Sequence, residues 1–165
     1  MTATLTLESL PAARTTLPED ARTTVAVALQ ATLVDMIDLA LQAKQAHWAL
    51  VGVGFQSLHE QLDVLTAAYQ EAGDEVAERL TALQVVPDGR VATVAAQSGV
   101  EAFPSGVIRD AEVRAALAER LSGVVQRVRG RLDAVGEADP VSEDLLIGLV
   151  GALEKQLWMI QAQAA

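Results

Sequence analysis

The sequence predicts an all-α protein, four long helices gathered into one bundle. Three observations carry that expectation. Apolar residues recur at alternating steps of three and four, no stretch alternates with the period of two that marks a strand, and the composition is 51 % hydrophobic but only 3 % aromatic, as close helix packing favours. At 165 residues the chain is one domain's worth, long enough for a core without covalent staples.

Residues 1–17 mix Thr, Ala, Leu and Pro without periodicity and are expected to form an arm over a bundle made by 18–165. In the first helix Leu29, Leu33, Met36, Ala40, Ala43 and His47 follow the seam spacing of a packed bundle, and Gly52 and Gly54 break it. The second runs from about Phe55 to Leu83, with a stripe at Leu58, Leu62, Leu65, Tyr69, Ala72, Val76, Leu80 and Leu83, and Pro87-Asp88-Gly89 stops it. Gly89 to Arg109 is long for a connection in a compact domain, so it reads as a crossover with a short helix near Val91–Ala96. The third helix carries Leu117, Leu121, Val124, Val128, Leu132 and Val135 and is expected to end at Gly136. Asp139-Pro140 opens the fourth as a cap followed by proline at the first helical position, with a stripe at Leu146, Leu149, Leu153, Leu157 and Ile160. Four long helices with one long connection read as a ferritin-like four-helix bundle.

Zero cysteines exclude disulfides, thiol nucleophiles and cysteine-ligated zinc, and suit a reducing cytoplasm. The start, with Glu8 and no basic segment, does not resemble a signal peptide, and no uncharged apolar run approaches a membrane span, so the expectation is a cytoplasmic protein with no membrane partner. The net charge of −10, with Lys44 and Lys155 the only lysines, repels phosphate backbones and attracts cations.

His47 and His59 are the only histidines, and the second helix adds Asp63, Asp74 and Glu78. At about 100° per residue, His59, Asp63, Asp74 and Glu78 fall within one sector of roughly 100°, turned away from the apolar stripe. Imidazole and carboxylate together make a donor set for iron, manganese or zinc. His59 and Glu78 are nineteen positions apart, or roughly 28 Å along a helix, too far to hold one ion within one chain. The four positions are, however, symmetric about the point between Ala68 and Tyr69: 59 mirrors 78, and 63 mirrors 74. Two antiparallel copies crossing there at a twofold bring His59 and Asp63 of one chain to Asp74 and Glu78 of the other, with Ala67 and Ala77 small enough for close approach. Read singly, His47 also fits a core histidine, and Asp74 with Glu78 a solvated helix face.

His47-Trp48 followed by Gly52 and Phe55, then Leu58-His59, Asp63, Asp74 and Ala77-Glu78-Arg79, resembles the signature of the Dps family, the DNA-binding proteins from starved cells; Leu153-Glu154-Lys155 with Trp158 resembles the family's last helix. The resemblance runs from about residue 25 to the C-terminus. It implies a hollow homo-dodecamer built from twofold dimers, with ferroxidase centres between subunits: His47, His59 and Asp63 from one chain, Asp74 and Glu78 from its partner. It further implies oxidation of Fe(II), with hydrogen peroxide as the characteristic acceptor, and storage of the ferric product inside; the donor chemistry also admits zinc at the same site. Trp48 becomes a trap for stray oxidising equivalents or simply an aromatic at a helix end. Asp139, Glu143 and Asp144 become an acidic iron-uptake pore or simply acids suited to a helix N-terminus. Glu60 becomes a candidate for mineral nucleation.

The chain also departs from the family. Ala49 stands where asparagine is usual, and Leu83-Gln84 replaces a common leucine-glycine. The arm lacks the lysines with which many relatives hold DNA, and the only basic residues before the first helix settles are Arg14 and Arg22. Weak or absent DNA binding is therefore expected, with nucleoid compaction as the alternative function. No glutamate stands three before either histidine, which argues against the intrachain di-iron motif of the true ferritins.

Overall fold

The computed structural model describes Glu8 and residues 14–163, so most of the expected N-terminal arm (1–7 and 9–13) lies outside the described residues, as do 164–165. The elements run α1 (Glu19–Ala49), β1 (Leu50–Val51), α2 (Phe55–Ala82), α3 (Val91–Gln97), β2 (Ile108–Arg109), α4 (Asp110–Ala138) and α5 (Pro140–Gln161). The four long helices α1, α2, α4 and α5 form the bundle, and the short α3 lies in the connection between its halves.

The apolar stripes become the core. Leu29, Leu33 and Met36 of α1 are buried against Leu58, Leu62, Tyr69, Val76 and Leu80 of α2, Leu117, Leu121, Val124 and Val128 of α4, and Leu146, Leu153 and Ile160 of α5. Gly73 faces α1, where a Cβ would make an ordinary contact with Met36 Cβ at 3.6 Å. By length and composition α1 would also pass for a membrane span, with a mean hydropathy of 1.6 over its most apolar window, yet 61 % of that window is buried within the bundle.

The long connection has a physical cause. α2 ends beside the first half of α1, where Gln30 Nε2 donates to the Asp88 carbonyl and Asp88 N donates to Gln30 Oε1, each at 2.8 Å. α4 begins beside the far end of α1, so the chain must travel most of the length of α1 to reach it. Along the way Ser98 Oγ donates to Asp38, and the buried Arg120 donates to the carbonyls of Glu101, Ala102 and Ala116 at 3.1, 2.6 and 2.9 Å. These bonds tie the connection down on both sides.

Two features differ from the sequence expectations. A parallel pair joins Leu50 to Ile108 and Val51 to Arg109, and two residues per strand are too few to leave a period in the sequence. Helix α4 passes through Gly136 to Ala138. Gly136 serves close approach rather than termination, because a Cβ there would fall 2.5 Å from the Glu143 carboxyl group.

Asp35, 1 % exposed, fixes α1 to α4. It accepts from Arg127 at 3.0 and 3.3 Å and from Arg131 at 3.1 Å, and Arg131 also donates to Thr32 Oγ1 at 2.8 Å. Removing one partner of such a group strands the others in a poorly solvated place. Asp35→Ala is expected to cost about 3 kcal/mol, read as a lower chemical-denaturation midpoint, whereas Asp38→Ala on the same helix should cost less than half as much.

Candidate metal centre

The turn between α1 and α2 brings both histidines together. Their rings stack with centroids 3.6 Å apart and planes inclined by 20°. Each ring nitrogen Nδ1 donates to the other residue's backbone carbonyl, His47 to His59 at 3.0 Å and His59 to His47 at 3.1 Å. A carbonyl only accepts, so both Nδ1 atoms carry hydrogen and each Nε2 is left with a free lone pair. Metal-binding histidines are commonly held in this way, with the proton on one nitrogen fixed by a backbone acceptor. His47 is buried at 7 % exposure, as the core reading expected, and it also belongs to this cluster.

Asp63, one turn after His59, completes the group: its Oδ1 lies 3.4 Å from His47 Nδ1 and 2.5 Å from Lys44 Nζ. The hydrogen bond from the Lys44 ammonium holds the Asp63 carboxyl below its ordinary range despite some opposing desolvation. Sequence reasoning did not single out Lys44, although its position one turn before His47 on the same helix was the available signal. A cation delivered to Asp63 must displace that ammonium or share the carboxylate with it.

Asp74 and Glu78 are exposed on the same face of α2 but farther along, and they do not join the histidines. Arg79, the cation beside Glu78, is turned to Asp139 instead, at 2.6 Å. Among the described residues no three or more His, Asp or Glu side chains of the one chain converge to hold an ion. Between α1 and α2 lies a groove of about 710 Å³ with Asp63 and Asp74 in its lining, along with Ala67, Gly73 and Ala77.

The other candidates are scattered. Trp48 is 68 % exposed, its ring centroid 5.9 Å from Lys44 Nζ. Glu60 is exposed and accepts from Gln56 at 3.3 Å. Asp139 is only 4 % exposed and caps α5, accepting from the backbone N–H groups of Val141 and Ser142, from Ser142 Oγ and from Arg79. Its carboxylate is therefore committed within the chain, and of the three expected pore acids only Glu143 and Asp144 keep solvent contact.

A ferritin-like family model matches residues 26–165, and with the four-helix bundle it defines the chain as a ferritin-like protein. It is 35 % identical over 147 residues to the DNA protection during starvation protein of Agrobacterium fabrum, covering 88 % of this chain and 91 % of that one. DpsA14 from Streptomyces coelicolor superposes with a TM-score of 0.89 at 28 % identity, over 96 % of this chain and 94 % of that one. Dps from Microbacterium arborescens, in a structure described as its high iron form, does so with a TM-score of 0.86 at 28 % identity, over 92 % and 98 %. The chain belongs to the Dps family of ferritin-like proteins.

Burial works to raise the Asp139 pKa, but the hydrogen bonds from Ser142 and Arg79 outweigh it and leave the group below the ordinary carboxylate value of 3.8. A depressed folded-state pKa stabilises the fold fully above the unfolded value, and that contribution is lost as pH falls through the folded one. Asp139→Asn keeps the cap and removes the charge, so it is expected to cost about 2 kcal/mol at pH 7. The gap from wild type should close as pH falls below 3.8, measured by denaturation midpoints across that range.

Proposed function

We propose that this protein is an iron-storing mini-ferritin whose ferroxidase centres form between subunits. His47, His59 and Asp63 come from one chain, and Asp74 and Glu78 from its twofold partner. One observation carries the reading: two imidazoles with free Nε2 atoms stand beside Asp63 at one end of an exposed helix face, and the remaining carboxylates stand at the mirror-related positions toward the other end. The donor set suits Fe(II), which accepts imidazole and carboxylate together, and the negative charge of the carboxylates favours the Fe(III) product. Zinc is a competing occupant of the same donors. The groove beside Asp63 and Asp74 supplies an apolar floor with small side chains for a second copy of α2.

In the reaction proposed, iron is the substrate. Hydrogen peroxide takes one electron from each of two Fe(II) ions, and with two protons it leaves as two waters. No free hydroxyl radical is released, because both electrons go to one acceptor. Exposed Trp48 stands where a stray oxidising equivalent would be intercepted, and Lys44 tempers the charge on Asp63 until a metal arrives. A hollow homo-dodecamer built from these dimers would store the ferric product, with Glu143 and Asp144 drawing cations inward and Glu60 on the mineral-facing wall. The absence of cysteine and the iron-handling role both suit the cytoplasm.

The Agrobacterium fabrum relative is named for DNA protection, and nucleoid compaction is the competing reading. The charge of −10 per chain and an arm without lysine speak against tight phosphate contact. Purified protein is expected to leave linear duplex DNA unshifted on a native gel at physiological ionic strength. A salt-sensitive shift at micromolar protein would favour the competing reading.

The shared site is tested by complementation. His59→Ala and Glu78→Ala each inactivate alone. In a mixed dimer one site collects both lesions, and the other is wild-type in every ligand. Random pairing makes half the dimers mixed, so about a quarter of wild-type Fe(II) oxidation is expected to return on co-assembly, and none on mixing the finished homo-oligomers. Verified mixed assemblies that stay inactive would sink the intersubunit site.

A further inference from the structure

We propose that Phe55 is a positioning residue for the metal centre: stacked on His59 and carried by a turn that Asp110 locks, it fixes the plane in which His59 presents Nε2. The proposal rests on the reading of His59 as an iron ligand and adds to it a device that no donor set reveals.

His59 stacks on two rings, His47 at 3.6 Å between centroids and Phe55 at 4.9 Å, the latter inclined by 27°. The bond from His59 Nδ1 to the His47 carbonyl anchors one edge of the imidazole, but a single hydrogen bond leaves the ring free to tilt about its axis. His47 is restrained by burial, whereas His59 is only half-buried and has the Phe55 stack as a second restraint. Core filling does not account for Phe55, which is 43 % exposed while its neighbour Leu58 is 0 % exposed. Within the chain, a ring stacked on a ligand's face offers geometry rather than core filling.

The turn that carries Phe55 is held from outside the α1–α2 pair. Asp110 Oδ2 accepts from Gly54 N at 2.8 Å, and that bond, the largest cause, holds the Asp110 carboxyl below its ordinary range. Arg114 pairs with the same oxygen at 3.6 Å. Gly52 has a φ of +135°, and a Cβ on it would fall 2.6 Å from Asp110 Oδ1; a Cβ on Gly54 would fall 2.6 Å from Arg114 Nη2. Gly52 is required by its positive φ, and a side chain at Gly54 would push aside the guanidinium and carboxylate that close over it. The β1–β2 pair sets Asp110 there by docking Ile108 and Arg109 on Leu50 and Val51. From Asp110 the constraint passes through Gly54 to Phe55, and from its ring to His59. Rigid support of a ligand ring raises metal affinity without adding a ligand.

Co(II), which is not oxidised under air in such a site, is the probe. The assembled wild-type protein is titrated with Co(II), and affinity and visible absorption are recorded. Phe55→Leu keeps the apolar bulk without the ring and is expected to bind about 3- to 10-fold more weakly, the scale of a lost aromatic pair, with an altered spectrum. Phe55→Tyr should restore both affinity and spectrum. Asp110→Ala, which keeps Phe55 but releases its turn, should move both in the direction of the leucine variant. A leucine variant that assembles normally and binds Co(II) with unchanged affinity and spectrum overturns the proposal. If that variant does not assemble, unchanged binding by Asp110→Ala overturns it instead. A wild-type protein that takes up no Co(II) would overturn the metal centre itself, and the role of Phe55 with it.

Discussion

The five-residue link Leu50–Gly54 between α1 and α2 is the constraint on which the rest of the structure turns. So short a link forces an antiparallel pair, sets the register of the two apolar stripes and leaves the last turn of one helix facing the first turn of the other. His47 and His59 meet for that reason, and each caps the other's backbone carbonyl with an Nδ1–H. The same link begins with the residues that pair with Ile108 and Arg109, so it also decides where α4 starts. Once α4 starts beside the end of α1, the long crossover over α3 is obligatory. A local turn thereby determines the topology of the whole bundle.

The chain distributes its charges according to a simple division. Those that are buried are partnered: Asp35 with two arginines, Asp139 with Arg79 and a helix N-terminus, Arg120 with three carbonyls. These groups hold helices together and are costly to disturb. The acids of the α2 outer face are left in water, where their contribution to the stability of one chain is small. Carboxylates that do little for the fold are free to serve another role, and Asp63, Asp74 and Glu78 are of this kind. Lys44 stands between the two groups, since it neutralises Asp63 at the surface without burying it.

Splitting a donor set between two chains, as proposed here, has a consequence for control. An isolated subunit would hold half a site and oxidise little, so oxidising chemistry would begin only where an assembly exists to receive its product. The small residues Ala67, Gly73 and Ala77 along the α1–α2 groove fit that arrangement, because a helix pair can approach closely only where side chains are short. Asp63 and Asp74 both line that groove, so in the proposed assembly closing it would bring the half-sites together.

Much of this was readable from the residues. The helix stripes marked most core positions, since burial repeats with the helical period, but missed flanking ones such as Leu39, Val113, Val125 and Val150. The long connection betrayed the crossover because compact bundles otherwise use short links. The pairing of Asp139 with Pro140 marked the start of α5. The mirror spacing on α2 was legible too, because a single helix converts spacing into geometry without any knowledge of its neighbours. What the sequence by itself could not decide were relations between elements. The two-residue β pair, the bond of Lys44 to Asp63, the buried fate of Asp139 and the stack of Phe55 on His59 each join segments whose approach depends on the packing of the whole. Gly136 shows the limit most plainly: as a residue it reads as a helix stop, and only the arrival of Glu143 from the next helix makes it a point of contact.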